Sequence, residues 1–142
     1  MQTTKTISTV VALDVGDKRV GVAATNTLAR LPQPLTTLQN DERFWDNLQK
    51  LLSEEHADIL VVGIPRNLSG QDTAQTEKIR QFVVDLAGRV KLPIVEQDEA
   101  LTSRRAESEL HARGKAFAKG DVDALAAVFI LEDYLTTEAT SV

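Results

Sequence analysis

Residues 11–23 read Val11-Ala12-Leu13-Asp14-Val15-Gly16-Asp17-Lys18-Arg19-Val20-Gly21-Val22-Ala23. An apolar, β-branched run ends in a carboxylate, turns at a glycine beside two cations, and returns as a second apolar run. Such runs read as buried strands, and the short polar loop between them reads as a hairpin. The first strand is expected over residues 7–14 and the second over 19–25. A carboxylate at the end of a rigid strand, next to positive charge and a glycine that permits close approach, suits a divalent metal or a phosphate.

Working outward, Pro32 and Pro34 interrupt any helix, and Leu35-Thr36-Thr37-Leu38 reads as a short third strand. The period then changes. Asn40 or Asp41 can cap a helix over 42–56, with Phe44, Leu48, Leu51 and Leu52 on one face. Ile59-Leu60-Val61-Val62-Gly63-Ile64 is a continuous apolar run stopped by Pro65, the pattern of a central strand. A polar loop with Arg66 and Asn67 leads to a helix over 73–89, capped by Asp72 or Thr73. Residues 92–96 form a fifth strand, 103–112 a helix, and 114–120 a basic loop bounded by glycines. The last helix is expected from about Asp121 to Leu135, with a frayed tail over Thr136 to Val142. The order β-β-β-α-β-α-β-α-α implies an α/β fold, a mixed five-stranded sheet with helices on both faces. One domain is expected over 1–142, its ordered core about 7–135.

The chain of 142 residues suits one core. Its 42% hydrophobic and 26% charged residues are ordinary for a globular protein. No run approaches the ~18 apolar residues of a membrane span, and residues 1–6 lack the apolar centre of a signal peptide. The expectation is a cytoplasmic protein with no membrane partner. There is no cysteine, which excludes disulfides and thiolate metal sites. A net charge of −5 argues against strong non-specific nucleic-acid binding. It leaves room for a nuclease, because bound cations supply the positive charge locally.

Acidic residues recur at element boundaries: Asp14 after strand one, Asp98 and Glu99 after strand five, Asp121 and Asp123 opening the last helix. The carboxyl edge of an open sheet is the usual place for a site. Ionised carboxylates brought together repel and want a cation, and an oxygen-only donor set favours Mg²⁺ or Mn²⁺. Each acid also has a plain reading. Asp14 could start a turn, Asp121 could be a helix cap, and Asp123 could complement the helix dipole. Arg19 more often pairs with a nearby acid than with substrate. Trp45 beside Phe44 reads as helix packing, and His56 and His111 as ordinary helix-end or surface residues. No Ser-His-Asp grouping, Walker loop or dinucleotide fingerprint is present.

Four segments taken in order resemble the YqgF/RuvX family, whose members are Holliday-junction-resolvase-like proteins of ribonuclease H-like fold. They are residues 13–23, Val62 to Gly70, Asp98-Glu99-Ala100-Leu101-Thr102-Ser103 and Lys119 to Ala127. The resemblance covers about Ile7 to Leu135. It implies a nuclease that matures the 5′ end of pre-16S rRNA by two-metal phosphodiester hydrolysis. It puts Asp14, Glu99 and Asp123 in the catalytic and metal-binding positions, with Mg²⁺ or Mn²⁺ as cofactor. Lys18, Arg19, Arg66, Asn67, Thr102, Ser103 and Lys119 are then the expected contacts to nucleic acid, with Lys115 further out. Two positions depart from the family pattern: Asn26 where Asp is common, and Ala100 where Arg is common.

The expected partners are pre-rRNA, branched DNA and ribosomal particles, with a monomer or a homodimer equally open. Resolution of Holliday junctions is the alternative within the same chemistry. A non-catalytic nucleic-acid- or ribosome-associated factor is the alternative from another class. Phosphotransfer of the actin-like kind ordinarily needs two such domains, and this chain has the length of one.

Overall fold

The computed structural model describes residues 7–67, 69–99, 108–109, 112 and 119–140, the side chains of 119, 120, 139 and 140 excepted. Five strands and three helices follow in order: β1 (Thr9–Val15), β2 (Arg19–Asn26), β3 (Gln33–Gln39), α1 (Phe44–Glu54), β4 (Ile59–Pro65), α2 (Ala74–Ala87), β5 (Ile94–Glu99) and α3 (Lys119–Thr140). The sheet order is β3-β2-β1-β4-β5. β1, β2 and β3 form an antiparallel meander, while β4 joins β1 and β5 joins β4 in parallel. The expected mixed α/β sheet with helices on both faces is what the chain forms.

The two faces follow from the strand period of two. Val11, Leu13, Val20, Val22, Leu60, Val62 and Ile64 point to one face and pack under α1 and α2 through Phe44, Leu48, Leu52, Ile79 and Leu86. Val10, Ala12, Ala23 and Val61 point to the other face and pack under α3, from Leu125 to Leu135. Small residues Ala12 and Ala23 recur beneath α3, so the helix lies close to the sheet.

Local chemistry explains the boundaries. Thr73 accepts from the Thr76 backbone N–H while Thr76 returns the bond, a reciprocal cap that starts α2. Asn40 and Asp41, expected to cap α1, do other work. Asn40 Nδ2 donates to the Gly16 carbonyl at 2.8 Å and braces the β1–β2 turn. Asp41 accepts from the Arg43 amide in a turn of its own, and α1 begins with no side-chain cap. Strand β3 is longer than the four residues expected and includes Pro34, tolerated because β3 lies at the sheet edge.

The expected frayed tail from Thr136 is corrected: α3 continues to Thr140. Tyr134 and Leu135 extend its buried face, and the Thr136 and Thr137 hydroxyls donate back to Glu132 and Asp133 carbonyls. The helix expected over 103–112 lies mostly outside the described residues; residues 108, 109 and 112 are helical. Trp45 stacks on Phe82 at 5.4 Å and meets Phe44 edge-on at 5.0 Å, so it packs helix against helix as the plain reading held.

Candidate active site at the carboxyl edge of the sheet

Asp14 stands one residue before the end of β1, on the face that α3 covers. Its antiparallel partner on β2 is Gly21. On the other side β1 pairs with β4 as Leu13 with Val62, and the same register sets Asp14 beside Gly63. The acid therefore lies in a row of three, Gly21–Asp14–Gly63, with no side chain on either flank.

Both glycines are spaces that something else fills. A Cβ on Gly21 would fall on the Asp123 carbonyl and stand 2.8 Å from the Ala124 amide. The N-terminal part of α3 thus rests directly on β2 at Asp123 and Ala124, and that contact carries Asp123 to the site. A Cβ on Gly63 would collide with the Ile130 side chain and stand 3.7 Å from Cγ of Glu99. Glu99, buried at the end of β5, therefore hangs over Gly63 on the same face as Asp14. The acid beside it, Asp98, is exposed and accepts from Arg66 Nε at 3.0 Å. Of these two neighbours, Glu99 is the one that shares Asp14's face. In α3 the inward acid is Asp123, while Asp121 is exposed.

Electrostatics marks Asp14 out. Burial, and secondarily the charge of Asp123, push its carboxyl up from 3.8 to about 7. Perturbed acids of this kind concentrate at functional sites. Asp123 is itself held by Arg19, whose Nε donates to Oδ2 at 2.8 Å. Arg19 and Gly21 lie on the same face of β2, so the pair spans the gap between strand and helix.

The donor set is all oxygen, which fits a hard divalent cation. Asp14 and Asp123 are the interacting pair. Among the described residues no three His, Cys, Asp or Glu side chains converge closely enough to hold an ion. Glu99 approaches the pair from β5, with β4 between it and β1, and is not a third member of a closed cluster.

The remaining expected contacts divide. Lys18 is exposed in the turn between β1 and β2. Arg66, on the loop after β4, pairs with Asp72 and Asp98. Asn67 Oδ1 accepts the amides of Ser69 and Gln71, so it shapes that loop from within. Thr102, Ser103, Lys115 and Ala100 lie outside the described residues, as does the side chain of Lys119. Asn26 lies at the far end of β2, paired with Thr9, five residues along the strand from Gly21. Its Oδ1 accepts the amides of Leu28 and Ala29 and closes the β2–β3 turn.

Neither glycine stood among the expected site residues. Their signal was a glycine inside each of two apolar strands, at positions where a turn is not needed.

Comparison with known proteins agrees with this architecture. The chain is 35% identical over 131 residues to a protein of Haemophilus ducreyi named "Putative pre-16S rRNA nuclease", covering 89% of this chain and 95% of that one. A protein of the same name from Pectobacterium carotovorum is 38% identical over 134 residues, covering 92% and 96%. Among solved structures, Thermus thermophilus RuvC in complex with Holliday junction substrate superposes with a TM-score of 0.55 at 13% identity, covering 91% and 96%. The Fowlpox virus resolvase in complex with junction DNA gives 0.52 at 12% identity, covering 94% and 99%. At such identities these two speak for the fold. The family model for RuvX, described as Holliday junction resolvase, matches residues 8–137, and the chain belongs to that family.

Proposed function

We propose that this protein is a divalent-metal-dependent nuclease that hydrolyses phosphodiester bonds, with the 5′ end of pre-16S rRNA as its substrate. The observation that carries the reading is Asp14, a half-buried carboxyl between two glycines, driven up to about 7 by loss of solvent and by Asp123. An arrangement that burial and like charge oppose is stabilised by a cation. The names of the relatives at 35% and 38% identity give the substrate class.

Asp14 and Asp123 would hold Mg²⁺ or Mn²⁺, and Glu99 would join them from β5 once the ion is bound. Such an ion supplies charge neutralisation at a phosphate and lowers the pKa of a bound water. The protein's own part is to fix the acids on rigid elements: Asp14 on β1, Glu99 at the end of β5, Asp123 near the start of α3. Lys18, exposed in the β1–β2 turn, would offer its ammonium to a phosphate oxygen. Arg66 and Asn67 set the loop after β4, and Thr102, Ser103 and Lys119 would contact the backbone of the nucleic acid in this reading. Action on ribosomal particles in the cytoplasm, as a monomer or a homodimer, completes the reading.

Junction resolution is the second reading. It is favoured by the family's description and by the two junction-bound neighbours. The test compares purified protein on a 5′-extended pre-16S rRNA and on a four-way DNA junction, in Mn²⁺ or Mg²⁺. Cleavage of the RNA alone is the expected result. Cleavage of the junction alone replaces the first reading with the second. Cleavage of neither, with metal bound, points to a non-catalytic ribosome-associated factor.

A further inference from the structure

The best-defined polar contact at the site is one that the proposed chemistry does not need. Arg19 Nε donates to Asp123 Oδ2 at 2.8 Å, with side-chain exposures of 29% and 20%. The two residues stand 104 positions apart in the chain. The Asp123 main chain is pinned against Gly21, two residues along the same strand from Arg19. The carboxylate therefore has little freedom to leave the guanidinium by moving the helix.

We infer that Arg19 is a built-in counter-ion for the acid pair, which holds Asp123 when no metal is present and competes with the divalent cation for that carboxylate. The inference rests on the metal-site reading above. An acid pair on two separate elements would otherwise push α3 away from β1, and the guanidinium answers that repulsion from β2. A charge-assisted N–H···O⁻ bond is among the stronger single polar contacts. A cation that takes Oδ2 must displace it, and binding is weakened by the strength of the bond broken. The displaced guanidinium stays tethered at the edge of the site, where its planar fork matches a phosphate. Lys18, one residue earlier, carries the same charge but is exposed and stands outside this contact. Direct competition is therefore specific to Arg19.

The test is Mn²⁺ binding to the full chain by isothermal titration, with no substrate. Arg19→Met keeps the apolar stem and removes the guanidinium. It should bind Mn²⁺ about tenfold more tightly than wild type, which is about 1.4 kcal/mol. Lys18→Ala should stay within about twofold. Without metal, Arg19→Met should melt at a lower temperature than wild type, and saturating Mn²⁺ should close or reverse that gap. Arg19→Lys, which keeps the charge but not the fork, should show a smaller gain in affinity than Arg19→Met.

An Arg19→Met affinity equal to or weaker than wild type overturns the inference. So does a gain in Lys18→Ala as large as in Arg19→Met, which would make the effect one of net charge. Asp14→Asn separates the two levels. If it abolishes Mn²⁺ binding while Arg19→Met changes nothing, the site stands and the counter-ion role falls. If Mn²⁺ binding is absent, or indifferent to Asp14→Asn, the site reading fails and takes the inference with it.

Discussion

Replacing Gly21 with alanine tests the geometry on which the site depends. The added Cβ would meet the Asp123 carbonyl and come within 2.8 Å of the Ala124 amide, both backbone atoms of a buried helix. A flexible side chain could swing aside, but this backbone cannot. Overpacking of this kind costs about 1–3 kcal/mol, and a backbone obstacle puts it at the upper end. Alanine also narrows the unfolded ensemble, which returns about 0.4–1 kcal/mol. The net loss is then about 2 kcal/mol. At about 2–4 °C per kcal/mol for a chain near this length, Tm falls by about 4–8 °C. The displaced N-terminal part of α3 carries Asp123 with it, so Mn²⁺ affinity falls as well. Gly88→Ala is the control: its Cβ would sit 3.5 Å from the nearest atom, at an ordinary helical φ of −78°. It should leave Tm unchanged or slightly higher. Thermal unfolding of the three proteins by circular dichroism decides it. A Gly21→Ala variant that melts with wild type and binds Mn²⁺ as wild type does would refute the claim that α3 rests on β2 through that glycine.

Stability of the metal-free protein should depend on pH through Asp14. Folded, its carboxyl keeps a proton up to about pH 7, whereas unfolded it ionises near ~3.9. The native state thus binds more protons in that window, and stability falls as pH rises through it, by up to about 4 kcal/mol. Urea unfolding in chelator at about pH 5 and pH 8 should show a drop that Asp14→Asn largely removes; the same drop in both proteins would contradict the assigned cause. Asn26→Asp, which restores the family's commoner residue, should leave cleavage within about twofold, because position 26 closes a turn at the other end of β2. A tenfold gain in rate would show that this position reaches the site. Thr73→Ala removes the reciprocal cap of α2 and should cost about 1 kcal/mol, read as a fall in Tm of about 2–4 °C.

The elements were legible where one local period ruled. The β1–β2 hairpin, the apolar run of β4 and the amphipathic α1 and α2 all follow from spacing. Asp14 was legible too, as an acid in an apolar strand just before a glycine turn. What spacing could not reach is what depends on pairing. Choosing between Asp98 and Glu99 is a matter of strand parity, which is fixed only when β5 takes its register beside β4. That Gly63 flanks Asp14 depends on a parallel pairing between segments some fifty residues apart. The Arg19–Asp123 contact spans 104 positions, and no local pattern announces it. Asn40 had the chemistry of a helix cap, but the neighbouring hairpin turn engaged it instead. The C-terminal end of α3 was missed for a similar reason. Its last turns are polar in sequence, yet Tyr134 and Leu135 stay buried against the sheet and draw the helix onward.

The central claim is that the acid pair at the carboxyl edge performs phosphodiester hydrolysis. The most direct measurement is cleavage of a 5′-extended pre-16S rRNA by wild type and by Asp14→Asn, purified identically and checked for folding by circular dichroism. The account predicts Mn²⁺- or Mg²⁺-dependent cleavage by wild type and its loss, by about a thousandfold or more, in a fully folded Asp14→Asn. Full cleavage by the folded variant would contradict it.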